Sequence, residues 1–368
     1  MTTYLLAGGG TAGHVNPLLA TADALRAAEA DAEVLVLGTA EGLEARLVPE
    51  RGYELLTIPK LPFPRRPNSA AVAFPARFRE TLRQVRRLIE DRGVDLVAGF
   101  GGYASAPTYL GARAAKRPLV IHEGNARPGL ANRLGARYTP HVTTTFSNTP
   151  LRNATLVGMP LRREVTALSD PAAKSAAAAE AARTFGLDPT RPTLLVTGGS
   201  LGARRINAAV HANARAVVDA GWNVLHIAGA RTEVADPGVP GYAFMTYCDR
   251  MDLALALADF AVSRAGASTV CELAVVGLPS VLVPYAVGNG EQRFNARDLV
   301  SAGGASIIAD SEFTADRFRE SVLPTLADRD RVDDMAVRAS SVGIPDGDRR
   351  LAEIIRSAAH DARTTTKP

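Results

Sequence analysis

A glycine-rich turn that ends on a histidine is the first feature of this chain that could do chemistry. The segment Gly8-Gly-Gly-Thr-Ala-Gly-His14 follows a strand predicted over residues 3–7 and precedes a helix predicted from about residue 16 to 29. Glycines let backbone N–H groups approach an anion, and a helix N-terminus adds a partial positive charge. That charge disfavours an imidazolium, so His14 is expected to be neutral near pH 7 and able to take a proton from an attacking hydroxyl. The alternatives are a tight turn without a ligand and a packed or capping histidine.

The glycine spacing in the same turn also fits a dinucleotide-binding fingerprint. That interpretation, an NAD- or FAD-dependent oxidoreductase, needs an acidic residue at the end of the second strand to hold a ribose. The predicted strand over residues 33–37 is followed by Gly38 and Thr39 instead. The oxidoreductase therefore stays a weakened alternative, and a more general anion-binding turn is favoured.

Two more glycine turns follow predicted strands. One is the segment GFGGY, which ends at Tyr103, and the other is GGSLG, which ends at Gly202. The hydroxyl of Ser200 in the latter could donate a hydrogen bond to a phosphate oxygen. Three anion-binding turns suit a reaction in which each of two substrates carries a diphosphate.

The segment from Ser263 to Glu272 carries the densest set of ligand-type groups. Arg264 could contact a diphosphate, and the hydroxyls that follow it open the next predicted helix. Glu272 lies four residues after Ser268, and hence on the same helix face, where a carboxylate could accept two ribose hydroxyls. The alternative for Glu272 is a carboxylate that the helix dipole favours in the first turn.

A fourth polar segment, His122-Glu-Gly-Asn125, directly follows a predicted strand. It predicts a structural His122 held by Glu123, and an Asn125 that hydrogen-bonds a sugar. The two cysteines, Cys248 and Cys271, are predicted to be packing residues in a reducing compartment. No spacing of histidine, cysteine or aspartate is typical of a metal site, so neither a metal nor a tightly bound cofactor is expected, and the need for a divalent ion stays open.

The length and the repeated pattern predict two domains. The chain has 368 residues, more than the roughly 250–300 that one core usually holds. The pattern of strand, glycine turn and helix begins twice, near residues 4 and 193. This predicts an α/β protein with two doubly wound, Rossmann-like parallel-sheet domains, whose ligands bind at the carboxyl ends of the strands. The predicted domains are residues 1–160 and 161–345, with a C-terminal helix near 346–364 packing back on the first.

A basic and apolar stretch over residues 61–92 predicts contact with a membrane surface. Arginines interleaved with apolar side chains suit an anionic leaflet, whereas a solvated amphipathic helix is the ordinary alternative. The apolar members are Leu61, Phe63, Phe74, Phe78, Leu82 and Val85, and the basic members are Arg65, Arg66, Arg77, Arg79, Arg83, Arg86 and Arg87. No apolar run reaches the roughly 20 residues of a spanning helix, and neither a signal peptide nor a nucleic-acid surface is predicted.

Seven segments together resemble one enzyme family. They are GGGTAGHVNP (8–17), GFGGY (99–103), HEGNARPGLANR (122–133), VGMPLR (157–162), TGGSLGARRIN (197–207), SRAGASTVCEL (263–273) and GNGEQRFNA (288–296). In this order, over nearly the whole chain, they are similar to the UDP-N-acetylglucosamine:lipid I N-acetylglucosaminyltransferases of bacterial cell-wall synthesis, the MurG family. The resemblance implies a GT-B fold, with two domains facing a cleft, and inverting transfer of N-acetylglucosamine to the muramyl sugar of lipid I.

The same resemblance implies partners and a location. The partners are UDP-N-acetylglucosamine, the lipid-linked muramyl-peptide acceptor and an anionic membrane surface, without nucleic acid. The enzyme would be peripheral, at the cytoplasmic face of the cell membrane.

Roles for individual residues follow from the resemblance as well. His14 would be the general base, Glu272 would hold the donor ribose, and the main chain at Cys248 would lie near the uracil. The other implied donor contacts are Thr11, Ala12, Gly13, Asn125, Arg162, Ser200, Arg264, Ala267, Ser268, Thr269, Glu291 and Gln292. The implied contacts to the acceptor diphosphate are Gly10, Gly101, Gly102 and Tyr103.

Two residues depart from the family pattern. Leu201 stands where the family usually has glutamine, and Glu291 stands where many relatives carry the first of two glutamines. A carboxylate can accept hydrogen bonds from sugar hydroxyls but cannot donate them. Two neighbouring activities stay open: a UDP-N-acetylglucosamine 2-epimerase, which shares the architecture and needs no acceptor, and a transferase with another lipid or natural-product acceptor.

Overall fold

The chain forms two compact units. The structure, a computed structural model, describes residues 1–62, 64, 69–199, 202–285 and 290–365. One unit holds Met1–Arg162 together with the C-terminal segment from Asp346 onward, and the other holds Arg163–Pro345. The boundary predicted from the sequence lies two residues earlier, between residues 160 and 161.

Within the described ranges, the first unit is built on seven parallel strands. They are β1 (Thr3–Ala7), β2 (Glu33–Gly38), β3 (Glu54–Thr57), β4 (Leu96–Gly99), β5 (Leu119–Glu123), β6 (His141–Thr144) and β7 (Ala154–Leu156). Their order in the sheet is β3-β2-β1-β4-β5-β6-β7. The order reverses between β1 and β4, and such a switch point is where doubly wound sheets bind ligands.

The described part of the second unit carries six parallel strands. They are β8 (Thr193–Thr197), β9 (Asn223–Ile227), β10 (Tyr242–Met245), β11 (Phe260–Ser263), β12 (Ser280–Leu282) and β13 (Ala305–Ile307). The sheet order is β10-β9-β8-β11-β12-β13. Its switch point therefore lies between β8 and β11, in the same position as in the first sheet.

Helices connect the strands in both units. They are α1 (Ala12–Ala28), α2 (Glu44–Glu50), α3 (Ser69–Asp91), α4 (Ser105–Ala114), α5 (Leu130–Gly135), α6 (Arg163–Thr166), α7 (Pro171–Phe185), α8 (Arg204–His211), α9 (Ala214–Asp219), α10 (Met251–Leu257), α11 (Ala267–Val276), α12 (Glu291–Asn295), α13 (Arg297–Ser301), α14 (Ala315–Ser321), α15 (Leu323–Ala327), α16 (Arg329–Ser340) and α17 (Gly347–Thr365). Local chemistry sets the bounds of α7, because the Asp170 side chain accepts a hydrogen bond from Ala173 N–H and Gly186 ends the helix at a φ of 67°.

The two faces of β1 explain why the first sheet is buried on both sides. Tyr4 and Leu6 contact one core, which α1 and α17 cover, whereas Leu5 and Ala7 contact another, which α3 and α4 cover. Successive side chains of a strand point to opposite faces. A strand covered on both faces is therefore largely apolar, as β1 is after Thr3.

The last helix belongs to the first unit. Its residues Leu351 and Ile355 are fully buried in the core that α1 also lines. Near its end, Arg363 forms an ion pair of 2.7 Å with Asp95, which precedes β4. These contacts attach the C-terminal segment to the unit that begins the chain.

The predicted fold class is confirmed, because both units are doubly wound parallel α/β sheets. One boundary differs in a way that affects the site. The first helix was expected from about residue 16 but begins at Ala12, with Thr11 as an extended N-cap whose carbonyl accepts from the N–H groups of His14 and Val15. Pro17 lies inside the helix, and His14 lies in its first turn.

Candidate functional site

The first two glycine turns flank the switch point of the first sheet. One follows β1 and the other follows β4, and these strands are neighbours in parallel register. Because parallel strands end at the same edge, both turns lie at the carboxyl edge. That edge also carries the segments after β2 and β5. The structure therefore brings together His14, Gly10, Gly101, Gly102 and Asn125 on one edge of one sheet.

The two glycine turns contact each other through their backbones. Gly102 has a φ of 87°, and a Cβ atom built on it would lie 2.4 Å from the carbonyl oxygen of Gly9. A Cβ atom built on Gly8 would lie 3.2 Å from Cβ of Phe100. Side chains at Gly102 or Gly8 would thus force the turns apart, so these glycines serve close packing as well as anion approach.

His14 faces the second glycine turn. Its Nδ1 atom lies 3.1 Å from the Thr11 hydroxyl. Its Nε2 and Cδ2 atoms lie on the other side, 3.2 Å from the position of a Cβ atom built on Gly101. The imidazole is half-buried between the two turns, whereas Thr11, Ala12 and Gly13 are exposed beside it. An exposed helix start next to a half-buried imidazole is an arrangement in which a bound hydroxyl could reach the ring.

Burial sets the protonation state of His14. Desolvation lowers the pKa of the imidazole below its ordinary value, while a hydrogen bond with the Gly9 backbone and the negative charge of Glu44 oppose the shift. The net effect keeps the ring neutral near pH 7, as expected from the sequence. The sequence argument gave the helix N-terminus as the cause, but the dominant cause is loss of solvent.

Glu44 at the start of α2 is a residue of this edge that the sequence analysis missed. Its side chain is fully buried. One carboxylate oxygen accepts from Gly10 N–H at 2.8 Å, and the other accepts from the N–H and hydroxyl of Thr39 at 2.9 and 2.8 Å. The Gly10 amide, expected to bind an acceptor diphosphate, already donates to this carboxylate. The glycines at 38 and 42, around the turn after β2, were the signal that could have pointed to it.

The segment after β5 is organised differently from the prediction. The His122 ring hydrogen-bonds the hydroxyls of Thr143 and Thr145 at 3.1 and 3.2 Å, so Glu123 does not hold it. Glu123 instead binds the loop that follows: it accepts from Asn125 N–H, Gly129 N–H and the Asn132 amide, each at 2.9 Å. Burial nevertheless raises the pKa of the Glu123 carboxyl. The prediction that His122 is structural agrees with its 2% exposure.

We expect His122 to make the first unit sensitive to acid. Burial lowers the pKa of its imidazole from 6.5 to about 3. Between these values the unfolded chain binds a proton that the folded protein does not, so stability should fall as the pH falls, by up to about 1.4 kcal/mol per pH unit. His122→Gln, which keeps a polar contact to the threonines, should flatten this dependence in urea unfolding followed by circular dichroism. The control variant, His360→Gln at an exposed position, should keep the wild-type dependence of stability on pH. An unaltered slope in His122→Gln would contradict the role given to His122.

The residues predicted to bind the donor in the second unit lie at the carboxyl edge of its sheet. Arg264 follows β11, and Ala267 to Thr269 form the first turn of α11. Cys248 lies between β10 and α10, and Glu291 and Gln292 open α12. These segments surround the switch point between β8 and β11. Ser200, on which the prediction of a diphosphate contact rests, and Leu201 lie outside the described residues.

Arg264 connects three segments of this edge. Its guanidinium donates to the Val283 carbonyl after β12 at 3.0 Å and pairs with Asp310 after β13 at 2.5 Å. Asp310 also pairs with Arg205 at 3.2 Å. Both contacts of Arg264 use one terminal nitrogen, and a guanidinium has five N–H donors. Arg264 can therefore hold these segments and still present N–H groups to an anion.

No feature of the sequence pointed to Asp310, which follows β13, as a residue of this site.

The first turns of α11 and α12 contain polar atoms that the described residues leave unsatisfied. The Ser268 hydroxyl is buried and has no hydrogen-bond partner among them, and neither does one carboxylate oxygen of Glu291. Glu272 lies on the face of α11 that Ser268 occupies, four residues on. Gln292 accepts a hydrogen bond from Tyr285 N–H at 2.8 Å through its side-chain oxygen. Buried polar groups usually have partners, so these two atoms mark places where a ligand could bind.

The thiols and the remaining predicted residues are placed as follows. Burial raises the pKa of both Cys248 and Cys271, so both stay protonated, in keeping with packing roles. Arg162 is half-buried and is the last residue of the first unit before α6. Tyr103 is 44% exposed, with the Lys60 ammonium 5.3 Å from its ring centroid.

In the part of the chain that is described, no helix is long and apolar enough to cross a bilayer.

Comparison with known proteins connects these two edges to one family. The model of the glycosyltransferase family 28 N-terminal domain matches residues 4–144, and that of the glycosyltransferase family 28 C-terminal domain matches residues 193–351. Each match spans the strands and glycine turns that build the edge of its unit.

Relatives cover nearly the whole chain. The UDP-N-acetylglucosamine--N-acetylmuramyl-(pentapeptide) pyrophosphoryl-undecaprenol N-acetylglucosamine transferase of Leifsonia xyli subsp. xyli (strain CTCB07) is 62% identical over 357 residues, 97% of this chain and 99% of that protein. The crystal structure of Acinetobacter baumannii MurG is 27% identical, with a TM-score of 0.80 over 97% of this chain and 100% of that one. A putative UDP-N-acetylglucosamine 2-epimerase from Listeria monocytogenes, 13% identical with a TM-score of 0.69 over 98% of this chain and 97% of that one, shares the fold alone. The chain therefore belongs to the MurG family of UDP-N-acetylglucosamine-dependent glycosyltransferases.

Proposed function

We propose that this protein transfers N-acetylglucosamine from UDP-N-acetylglucosamine to the muramyl sugar of lipid I, and so makes the lipid-linked disaccharide precursor of peptidoglycan. The observation that carries the proposal is the 62% identity to a transferase of that name over 97% of the chain. The positions of His14, Arg264 and Glu272 in the loops and helices that follow β1 and β11 support it.

The second unit is the donor-binding domain in this proposal. Arg264, with the first turn of α11, binds the diphosphate, and Glu272 accepts the ribose hydroxyls. Support comes from the unsatisfied Ser268 hydroxyl and from the position of Arg264 beside the switch point. Ser200, Cys248 and Gln292 keep the donor contacts that the resemblance implies. Glu291 replaces an amide by a carboxylate, and its unsatisfied oxygen would accept a sugar hydroxyl.

The first unit binds the acceptor in this proposal, and the exposed residues 11–13 at the start of α1, together with Asn125, contact the donor sugar. Gly101, Gly102 and Tyr103 bind the acceptor diphosphate. Gly10 contributes through the shape of its turn, because its N–H is held by Glu44. His14 removes the proton from the attacking hydroxyl, which suits a half-buried ring with a lowered pKa.

The chemistry is a displacement with inversion. The acceptor hydroxyl attacks the anomeric carbon while the bond to UDP breaks on the opposite face, and the proton passes to His14. Negative charge grows on the departing diphosphate. N–H groups at helix N-termini and the Arg264 guanidinium stabilise that charge, and removal of one such donor typically raises a barrier by about 2.7–4 kcal/mol.

Transfer of labelled N-acetylglucosamine onto a purified polyprenyl-diphosphoryl-muramyl peptide tests the proposal directly. The expected result is a labelled lipid-linked disaccharide that forms only when acceptor and enzyme are both present. A 2-epimer formed from UDP-N-acetylglucosamine alone would support the epimerase. Transfer to other lipid or natural-product acceptors, but not to the muramyl lipid, would support the remaining alternative.

The surface proposed to meet the membrane is the exposed side of α3 (Ser69–Asp91). Val72 is 84% exposed there, and Phe74 and Phe78 stack with ring centroids 5.6 Å apart. The five arginines between Arg77 and Arg87 are exposed. Val85, predicted to face the membrane, is instead fully buried in the core, so this apolar member of the prediction was wrong. Phe63, Arg65 and Arg66 lie outside the described residues.

Charge reversal on α3 should weaken membrane binding. Each basic residue near an anionic leaflet contributes about 1 kcal/mol, so losing two should reduce vesicle affinity by about 30-fold, with repulsion adding to this. The variant is Arg79→Glu with Arg83→Glu, measured by co-sedimentation with anionic vesicles, and UDP-sugar binding should not change. Arg317→Glu with Arg331→Glu, exposed in the second unit, alters net charge equally and serves as the control. Equal loss in both variants would argue against a specific α3 surface.

A further inference from the structure

The buried carboxylate of Glu44 joins the first glycine turn to the end of β2. Gly10 N–H and both donors of Thr39 bind it, with distances of 2.8 to 2.9 Å. Burial alone would raise the pKa of this carboxyl, but these hydrogen bonds outweigh burial and hold the pKa below its ordinary value. Glu44 is therefore a carboxylate, and not a carboxylic acid, at neutral pH.

Three glycines make room for this side chain. A Cβ atom built on Gly9 would lie 2.3 Å from a Glu44 carboxylate oxygen, and one built on Gly42 would lie 2.0 Å from the other. A Cβ atom built on Gly38 would lie 2.5 Å from Glu44 Cγ. None of these glycines has a positive φ. Space for Glu44, and not an unusual backbone conformation, is therefore what requires glycine at these positions.

The same turn positions the imidazole of His14. Gly9 contributes a backbone hydrogen bond to the ring, and Glu44 contributes a negative charge. A general base needs a neutral ring before the reaction and a stabilised imidazolium after it takes the proton. Burial supplies the first requirement. A fixed carboxylate nearby supplies the second, as an orienting carboxylate does for the histidine of a catalytic triad.

We propose that Glu44 is a positioning residue for His14: its carboxylate fixes the first glycine turn and stabilises the imidazolium that forms during transfer. This inference rests on the proposed role of His14 as the base. Glu44 does not touch substrate, and it acts only through the turn and through His14.

Other charged or titratable groups occur on the elements around His14. Tyr103 and Lys60 contact each other beside the second glycine turn. Glu123 is occupied by three donors of its own loop, and His122 is uncharged because burial lowers its pKa to about 3. Among the causes that shift the pKa of His14, the charge that acts is that of Glu44.

The test is an NMR titration of His14 in the full chain with ring-labelled histidine. The His14 signal is identified by its loss in His14→Gln. Glu44→Gln keeps the size of the side chain and removes the charge, so the pKa of His14 should move down relative to the wild type. An unchanged His14 pKa in Glu44→Gln would overturn the proposal.

Two further variants separate charge from structure. Glu44→Asp keeps the charge but withdraws it by about 1.5 Å, the length of one carbon–carbon bond, and should give a His14 pKa between those of wild type and Glu44→Gln. If Glu44→Gln does not fold, the Asp variant carries the test: an unchanged His14 pKa in it would overturn the proposal. Asp23 lies in α1, nine residues after His14, and carries a partly exposed carboxylate. The control variant Asp23→Asn removes this charge and should leave the His14 pKa unchanged.

Turnover gives an independent readout. Glu44→Gln should lower kcat by about 10- to 100-fold, as removal of an orienting partner does for metal-bound histidines, and should move the acid limb of the pH profile downward. A fall in kcat without movement of that limb would show that Glu44 only fixes the turn and does not stabilise the imidazolium of His14. The titration needs neither donor nor acceptor, so absence of transfer by the wild-type enzyme would refute the proposed function without deciding the Glu44–His14 coupling.

Discussion

Replacement of His14 by alanine should lower turnover by about 10²- to 10⁴-fold, the usual contribution of a general base. Binding of UDP-N-acetylglucosamine should persist, because the proposed nucleotide contacts belong to the second unit. The measurement is kcat in the transfer assay together with donor affinity by calorimetry. The largest effect should be on kcat, since the imidazole acts on the proton that moves in the transition state.

The pH dependence of the wild type adds a signature to that result. The base must be neutral, and burial lowers the pKa of His14. Activity should therefore be retained somewhat below the ordinary histidine pKa of about 6.5 and be lost as the pH falls through the lowered value.

His141→Ala is the matched control for His14→Ala. His141 begins β6, at the opposite edge of the same sheet from the glycine turns. Its removal should leave kcat near that of the wild type. Near-normal turnover in His14→Ala, with normal folding, would remove this histidine from the role of base.

Gly102→Ala should have the second largest effect, because it separates the two glycine turns. The residue has a φ of 87°, and an added Cβ would lie 2.4 Å from the Gly9 carbonyl oxygen. The backbone conformation costs about 1–2 kcal/mol for an L-residue, and overpacking adds about 1–3 kcal/mol. A displacement of the turn by about 1 Å can lower turnover by about 100-fold. Urea unfolding and the transfer assay measure the two effects.

Gly52→Ala separates the cost of the backbone conformation from the effect of the contact between the two glycine turns. Gly52 lies in the same unit and has a φ of 75°, but a Cβ atom there would meet no atom within 4 Å. It should therefore show the conformational cost of about 1–2 kcal/mol without the loss of turnover. Equal turnover in the two variants would mean that contact between the glycine turns does not matter for the reaction.

Glycine has two different uses at this site, and the sequence revealed only one of them. From the sequence, the glycines of the first turn were interpreted as positions where a backbone approaches an anion. In the structure, Gly9 admits the Glu44 carboxylate and Gly102 admits the Gly9 carbonyl. The anionic partner nearest to Gly10 N–H is a side chain of the protein itself. A glycine-rich segment predicts a close approach, but it does not say what approaches.

The sequence by itself determined the fold class, because alternation of buried strands with helices is a local property. The two strands predicted to begin near residues 4 and 193 were located correctly, at β1 and β8, since strands buried on both faces are largely apolar. It also determined the family, because seven segments resemble the family's motifs in the family's order, with departures at Leu201 and Glu291. His14 was singled out for a reason that the structure modifies: desolvation, more than the helix N-terminus, keeps the ring neutral.

Only the tertiary structure decided which side chains meet across different loops. Glu44 contacts Gly10 over a separation of 34 residues, and Arg264 contacts Asp310 over 46. Glu123 binds its own loop while threonines of β6 and beyond bind His122, although the two residues are adjacent in the chain. Such contacts depend on the order of strands in the sheet and on the path of each loop. Spacing along the chain does not contain that information, because residues far apart in sequence become neighbours only when parallel strands end at one edge.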